Sequence, residues 1–175
     1  SGAKANAFTQ LPKYFFDALI QSDVGFFTGV PDSLLKDMCA FISDNTAEHQ
    51  HIIAANEGSA IALGIGYHLA TKKIPLVYMQ NSGFGNAINP LLSLTDNQVY
   101  SIPMLLLVGW RGEPGVIDEP QHVKQGYVSE SILKTLKIPY VIISSETQDI
   151  KRVISDAASH AQEHNMGFVL LVRKE

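Results

Sequence analysis

The chain has 175 residues, of which 46% are hydrophobic and 17% charged, and its formal net charge is −4. This length suits a single domain with a substantial core, and the composition excludes a disordered protein. The small negative charge offers no basic surface for nucleic acid or anionic lipid, and every apolar run is too short for a membrane span.

The chain has one cysteine, Cys39, within an apolar helical pattern. A disulfide framework is therefore excluded, and a reducing cytoplasm is the expected compartment. The chain begins Ser-Gly-Ala without a methionine, so we interpret residues 1–7 as a tag remnant or disordered start. Residues 8–175 are expected to form one domain.

Helical and strand-like segments alternate along the chain. The segments with helical periodicity are 8–22, 34–45, 57–71, 85–96, 129–137 and 147–165. The short apolar segments typical of buried strands are 24–30, 51–55, 74–80, 102–110, 138–144 and 167–174. Residues 111–128, rich in charge, glycine and proline, are expected to form a long loop.

This alternation predicts a doubly wound α/β domain: a six-stranded parallel sheet with helices on both faces. Ligands of such sheets bind beyond the carboxyl ends of the strands. Four stretches follow predicted strands, namely 29–33, 54–58, 80–86 and 109–126. We expect them to lie together at one edge of the sheet.

Glu57 opens an otherwise apolar helical segment, AANEGSAIALGIGYHLAT. Asn56 is a plausible N-cap and a carboxylate suits the first turn, so capping alone could explain both residues. Gly58, Gly64 and Gly66 do not fit that explanation, because a glycine inside a helix costs about 1 kcal/mol relative to alanine. Their spacing predicts close packing of this helix against another helix or a ligand.

The other stretches leave alternatives open. The turn QNSGFGN could cradle an anion or simply let a helix meet the sheet, and it lacks both the dinucleotide and the Walker patterns. Asp32 in GVPDS could be a helix cap or an active-site acid. Arg111, His122 and Lys124 could bind an anion or belong to a solvated loop.

His160 and His164 have the spacing of a helical metal pair. They lack the intervening glutamate of the HExxH motif and lie in a polar segment. We predict no metal site in this chain.

In their order along the chain, GVPDS, AANEGSAIALGIGYHLAT, NSGFGNAINPL and DEPQHVKQG resemble the pyrimidine-binding domain of thiamine diphosphate-dependent 2-oxo acid decarboxylases. Within that family the phosphonopyruvate decarboxylases are most similar, followed by the α subunits of sulfopyruvate decarboxylases. The resemblance runs from Phe8 to Lys174. It implies the thiamine diphosphate-binding fold and decarboxylation of phosphonopyruvate to phosphonoacetaldehyde and CO2, with sulfopyruvate as the alternative substrate.

The resemblance also implies roles for individual residues. Glu57 would hydrogen-bond the ring nitrogen of the cofactor's aminopyrimidine and so promote proton removal from the thiazolium carbon. Asp32 would assist proton transfer and contact the substrate. The cofactor-side turn would comprise Ser82, Gly83, Phe84 and Gly85, with Phe84 where other members carry proline. The further substrate ligands would be Arg111, His122, Lys124 and Gln125.

Members of this family bind Mg²⁺ and the cofactor's diphosphate through a second domain that bears a Gly-Asp-Gly motif, which this sequence lacks. The resemblance therefore implies a diphosphate-binding domain or subunit as partner and a dimer or larger oligomer. We expect the chain to be inactive alone. A non-catalytic assembly module of the same fold is the alternative from another class.

Overall fold

The computed structural model describes residues 7–174, with side chains from residue 12 onward, and within this part six helices alternate with six strands. The helices are α1 (Ala7–Gln21), α2 (Lys36–Asn45), α3 (Glu57–Thr71), α4 (Phe84–Pro90), α5 (Pro120–Thr135) and α6 (Ile150–His164). The strands are β1 (Val24–Gly29), β2 (His51–Ile53), β3 (Ile74–Gln80), β4 (Met104–Trp110), β5 (Tyr140–Ile143) and β6 (Gly167–Arg173). The tag or disordered start predicted for residues 1–7 lies outside the described residues, except at Ala7, where α1 begins.

The strands form a single sheet in the order β2-β1-β3-β4-β6-β5, and every pairing is parallel. The predicted doubly wound, six-stranded fold is thereby confirmed. Registers align the strand ends, since Gln80 pairs with Gly109 and Trp110 with Arg173. All loops that leave the strands consequently emerge at one edge, here called the active edge.

Each face of the sheet carries its own core because side chains alternate between the faces. Leu105 and Leu107 of β4 pack with α1, α2 and α6, whereas Leu106 and Val108 pack with α3, α4 and α5. Burial of each such side chain contributes about 1.5–3 kcal/mol. No helix within residues 7–174 is long and apolar enough to cross a membrane.

The prediction of a loop over 111–128 with a helix from 129 was wrong. Helix α5 begins at Pro120, in a position where proline suits a helix start. Its buried face consists of Gly126, Ser129 and Leu133, so it has little apolar periodicity. Gly126 packs on the backbone of Gly112, where a Cβ at 126 would overlap the Gly112 carbonyl. The loop between β4 and α5 is therefore only residues 111–119.

The glycines of α3 meet different surroundings. A Cβ at Gly64 would lie 3.1 Å from Val77 Cγ2 and 3.3 Å from Pro75 Cγ, whereas a Cβ at Gly66 would meet nothing within 4 Å. Close packing on the sheet thus accounts for Gly64, while Gly66 lies on the outward face of the helix.

This difference can be measured as stability. Gly66→Ala should raise the free energy of unfolding by about 0.5–1 kcal/mol, because alanine restricts the unfolded chain and favours helix. Gly64→Ala should gain less or lose stability, since its methyl group must displace side chains of β3. Urea unfolding of the two variants, each compared with the parent chain, gives both values. Equal gains would contradict close packing at Gly64.

Candidate active site

Hydrogen bonds join the four stretches predicted to meet at the active edge. Arg111 Nη1, after β4, donates to Ser33 Oγ, after β1, over 2.9 Å. Asn81 Nδ2, after β3, donates to the Arg111 carbonyl over 2.8 Å, and its Oδ1 accepts from the Arg111 amide over 3.1 Å. Asn86 Nδ2 donates to Glu57 Oε2 over 2.9 Å. The predicted convergence is confirmed.

Glu57 occupies the first turn of α3. Asn56 caps this helix, since its Oδ1 accepts from the Ser59 amide over 2.8 Å. Within residues 7–174 Glu57 Oε1 accepts no hydrogen bond, while Oε2 is held by Asn86. A Cβ at Gly83 would lie 2.5 Å from Glu57 Cγ and 2.9 Å from Oε1, so only glycine at 83 lets the carboxylate rest on this turn.

The rest of this turn is arranged unevenly. Phe84 is only 4% exposed and belongs to the core under α3, so only its backbone can meet a ligand. A Cβ at Gly85 would meet nothing within 4 Å. Ser82 Oγ donates to Gln80 Oε1 over 2.9 Å.

Asp32 precedes a short helical turn, Ser33–Leu35, and caps it by accepting from the Leu34 amide over 3.2 Å. Its carboxylate is buried against Gly109, where a Cβ would overlap it. Burial raises the pKa of Asp32, and the nearby Arg111 charge opposes part of that rise. A carboxyl group in this setting retains a proton more readily than an exposed one, as suits a proton donor.

Asp118 organises the cationic side of the active edge. Its side chain is 1% exposed. It accepts from Arg111 Nε over 2.9 Å and from Arg111 Nη2 over 2.6 Å, and also from the Gly112 amide over 3.0 Å and the Glu119 amide over 2.8 Å. These donors, with Arg111 first, hold the pKa of Asp118 well below its usual range. His122 Nδ1 lies 2.9 Å from Asp118 Oδ1.

The two remaining predicted substrate ligands do not join this cluster. Lys124 and Gln125 are exposed on α5, and Lys124 Nζ lies 5.7 Å from the centroid of the Tyr127 ring. Among the described residues, none of the hydrogen bonds made by the side chains of Arg111, Asp118 and His122 involves the side chain of Lys124 or Gln125.

The β4–α5 loop is also fastened to the end of β6. Arg173 Nε donates to Glu113 Oε2 over 3.0 Å, and Arg173 Nη2 lies 2.7 Å from Oε1. Lys174 Nζ donates to the Ile117 carbonyl over 3.1 Å and lies 3.8 Å from Asp118 Oδ1. The loop is thus held at the end of β4, from which it leaves, and at the end of the neighbouring strand β6.

Residues 9–133 match the sequence profile of the family "thiamine pyrophosphate enzyme, N-terminal TPP binding domain". The chain belongs to this family. It is 35% identical over 144 residues to the sulfopyruvate decarboxylase subunit alpha of Methanococcus maripaludis, covering 82% of each chain. It is 32% identical over 144 residues to the phosphonopyruvate decarboxylase of Streptomyces viridochromogenes, covering 81% of this chain but 35% of that one.

Solved structures of decarboxylases share the fold. The thiamine diphosphate-dependent 4-hydroxybenzoylformate decarboxylase of Rhodococcus jostii RHA1 superposes with a TM-score of 0.65 at 22% identity, over 93% of this chain and 29% of that chain. The resemblance inferred from the sequence is confirmed for family and fold. The chain spans about a third of the phosphonopyruvate decarboxylases and most of the sulfopyruvate α subunits.

The residues of this thiamine pyrophosphate enzyme domain fit the pyrimidine end of the cofactor. Glu57 keeps one carboxylate oxygen free of partners among the described residues, beside a turn that only glycine at 83 permits. That oxygen can accept from, or share a proton with, a ring nitrogen. The turn leads into α4, a helix of 7 residues. The missing side chain of Gly83 leaves the space that the Glu57 carboxylate occupies.

Two residues that hold the active edge together were not singled out from the sequence. Asp118 was one charge among many in the predicted loop, and Asn81 was part of a turn. Asn81 is fully buried and joins β3, β4 and α5, since its Nδ2 also lies 2.9 Å from Ser129 Oγ. An asparagine directly after a buried strand was the available signal for it. Nothing in the spacing marked Asp118.

The lowered pKa of Asp118 predicts a pH-dependent stability. A carboxyl group whose pKa is depressed by folding stabilises the protein above its unfolded pKa of about 3.9 and loses that contribution as the pH falls. Asp118→Asn should therefore unfold at lower urea concentration than the parent at pH 7, with a deficit that narrows below about pH 4.

Urea unfolding between pH 3 and pH 7 measures this deficit. Glu119→Gln removes the same charge from an exposed neighbouring side chain and serves as the control. A deficit of constant size across the pH range would contradict the assignment of a depressed pKa to Asp118.

Proposed function

We propose that this chain is the pyrimidine-binding half of a thiamine diphosphate-dependent decarboxylase acting on a 2-oxo acid with a phosphonate or sulfonate group. The observation that carries the proposal is the Glu57 carboxylate, fixed by Asn86 against a turn opened by Gly83. A domain without the chemistry would have no use for such a carboxylate.

Glu57 binds and orients the aminopyrimidine of the cofactor. Its Oε1 would share a proton with the ring nitrogen, while the Asn86 amide holds Oε2 and fixes the direction of the carboxylate. The backbone of the 82–85 turn would help to hold the same ring. When bound, thiamine diphosphate supplies the electron sink for the pair released as CO2 leaves.

Asp32 and His122 are the proposed proton-transfer residues. Asp32 is buried near Arg111, and burial raises the pKa of its carboxyl group, which suits it to deliver a proton to the substrate carbon after CO2 leaves. His122 sits at the active edge, 3.3 Å from Gln80 through its Nε2.

Arg111 is the proposed ligand for the substrate's anionic group. Among the described residues, three of its five N–H groups donate to Asp118 and Ser33. The other two N–H groups can donate to a ligand. We do not include Lys124 and Gln125 in this anion site, because both are exposed on α5 and neither side chain takes part in the hydrogen bonds around Arg111 among the described residues.

The charge around Arg111 bears on which anion binds. Arg111 and Lys174 bring two positive charges, Asp118 offsets one of them, and Asp32 and Glu119 also lie close enough to act on Arg111. A sulfonate carries a single negative charge, whereas a phosphonate, like a phosphate monoester, carries up to two near neutral pH. This balance favours sulfopyruvate, while the sequence resemblance keeps phosphonopyruvate as the other candidate.

The partner is proposed to be a diphosphate-binding domain, in the same polypeptide or in another subunit, that also holds Mg²⁺. The names of the α-subunit relatives and the partial coverage of the longer relatives support this proposal. Helix α3 also turns an apolar face outward, with Leu63 37% and Leu69 54% exposed and Gly66 in open space. A partner that covers that face would give at least a dimer. We also propose a cytoplasmic location, because a chain with a single cysteine suits a reducing compartment.

Reconstitution tests the function. The chain is incubated with thiamine diphosphate, Mg²⁺ and substrate, alone and with a diphosphate-binding domain encoded in the same gene or next to it. We expect turnover only in the mixture, and a loss on the order of 10²- to 10⁴-fold in kcat for Glu57→Gln because the proton-sharing oxygen is gone.

Glu163→Gln, exposed near the end of α6 and away from the active edge, is the matched control. Unchanged turnover in the Glu57 variant would support the non-catalytic assembly module instead. Turnover by the chain alone would refute the need for a partner.

A competition assay tests the anion. Equal concentrations of phosphonopyruvate and sulfopyruvate are given to the assembled enzyme, and both aldehyde products are quantified. The charge balance predicts a preference for sulfopyruvate on the order of 10-fold in kcat/KM, equivalent to about 1.4 kcal/mol. A preference for phosphonopyruvate would show that the assembled site supplies another cation.

A further inference from the structure

Four side chains form a hydrogen-bond chain along the active edge. Ser82 Oγ lies 2.9 Å from Gln80 Oε1, Gln80 Nε2 lies 3.3 Å from His122 Nε2, and His122 Nδ1 lies 2.9 Å from Asp118 Oδ1. This row of hydrogen bonds thus begins at the cofactor-side turn and ends at the buried side chain of Asp118.

The donor and acceptor in each of these hydrogen bonds follow from the state of Asp118. The carboxylate of Asp118 also accepts from Arg111 and from two backbone amides, so it is ionised and can only accept. His122 Nδ1 must therefore carry the proton. In a neutral imidazole the other nitrogen then has a lone pair, which accepts from the Gln80 amide, whose oxygen accepts from Ser82.

We infer that Asp118 is a positioning residue that keeps His122 in its Nδ1–H tautomer, so that His122 accepts a proton at Nε2 during turnover once the 3.3 Å hydrogen bond from the Gln80 amide to that nitrogen opens. The same carboxylate fixes the plane of the Arg111 guanidinium. One buried side chain thereby sets both the polarity of the histidine and the direction of the arginine. The kinetic consequence rests on the proposed function, whereas the tautomer does not.

A purely structural role for Asp118 gives a different expectation. If the carboxylate only fastened the loop, its replacement would lower the stability of the protein and leave the tautomer of His122 unchanged. The tautomer is therefore the readout that separates positioning from fastening.

The test is ¹⁵N NMR of the histidine rings in the full chain at about pH 9, where imidazoles are neutral. The signals of His122 are identified by their loss in His122→Gln. The parent chain should show a protonated Nδ1 and an unprotonated Nε2 at His122. The opposite pattern would overturn the inference without any variant.

Three variants extend the test. Asp118→Asn should lose the single tautomer and show a substantial Nε2–H population, since its amide cannot serve all the donors that meet there. Asp118→Glu keeps a carboxylate and should retain the Nδ1–H form. Glu119→Gln removes a nearby exposed charge and should behave as the parent. An unchanged tautomer in Asp118→Asn would refute the positioning role.

The assembled enzyme supplies the kinetic arm. Asp118→Asn should lower kcat on the order of 10- to 100-fold, the range found when the partner that orients a functional histidine is removed. Asp118→Glu should recover part of that loss. Correct tautomers in an enzyme that does not decarboxylate either substrate would refute the proposed function and leave the positioning of His122 standing.

Discussion

The parallel alignment of all six strands is the constraint on which the rest of this molecule depends. Because every strand points the same way, residues far apart in sequence leave the sheet side by side. Asn81 shows the consequence most directly. One buried amide closes the gap between β3 and β4 and reaches Ser129 on α5, so the ends of three elements are fixed by a single side chain. Parallel strands also need both faces covered, which explains the two separate cores.

Continuous aliphatic runs predicted the sheet well because burial on both faces leaves no room for polar residues. The run at 102–110 became β4, and its central residues lie in both cores. Helix α5 was harder to predict, since its buried side is made of Gly126, Ser129 and Leu133 rather than an apolar stripe. Close backbone packing removes the periodicity on which sequence analysis relies. Its second half was predicted from residue 129 onward, whereas its first half was recognisable only from Pro120 at its start.

Individual site residues divide in the same way. Glu57 stood out because several glycines follow it within an apolar helix, and family resemblance supplied its meaning. Asp118 did not stand out, because its importance lies in donors brought from β4, from the loop and from α5. Lys124 and Gln125 were grouped with Arg111 as residues of one loop, whereas the structure places both on the exposed surface of α5, outside the hydrogen bonds of Asp118. Contacts between residues that only folding brings together could not be predicted from the spacing of residues in the sequence.

The fastening of the β4–α5 loop has a consequence for attempts to change specificity by exchanging parts between relatives. Glu113 is paired with Arg173, Lys174 reaches the Ile117 carbonyl, and Gly112 is packed on Gly126. A loop transplanted by itself would leave charges on β6 without their counterparts and place side chains where two backbones touch. The smallest interchangeable piece is therefore discontinuous: the loop, the first half of α5 and the last residues of β6. Engineering a new substrate preference by exchange between relatives therefore requires that all three segments be exchanged together.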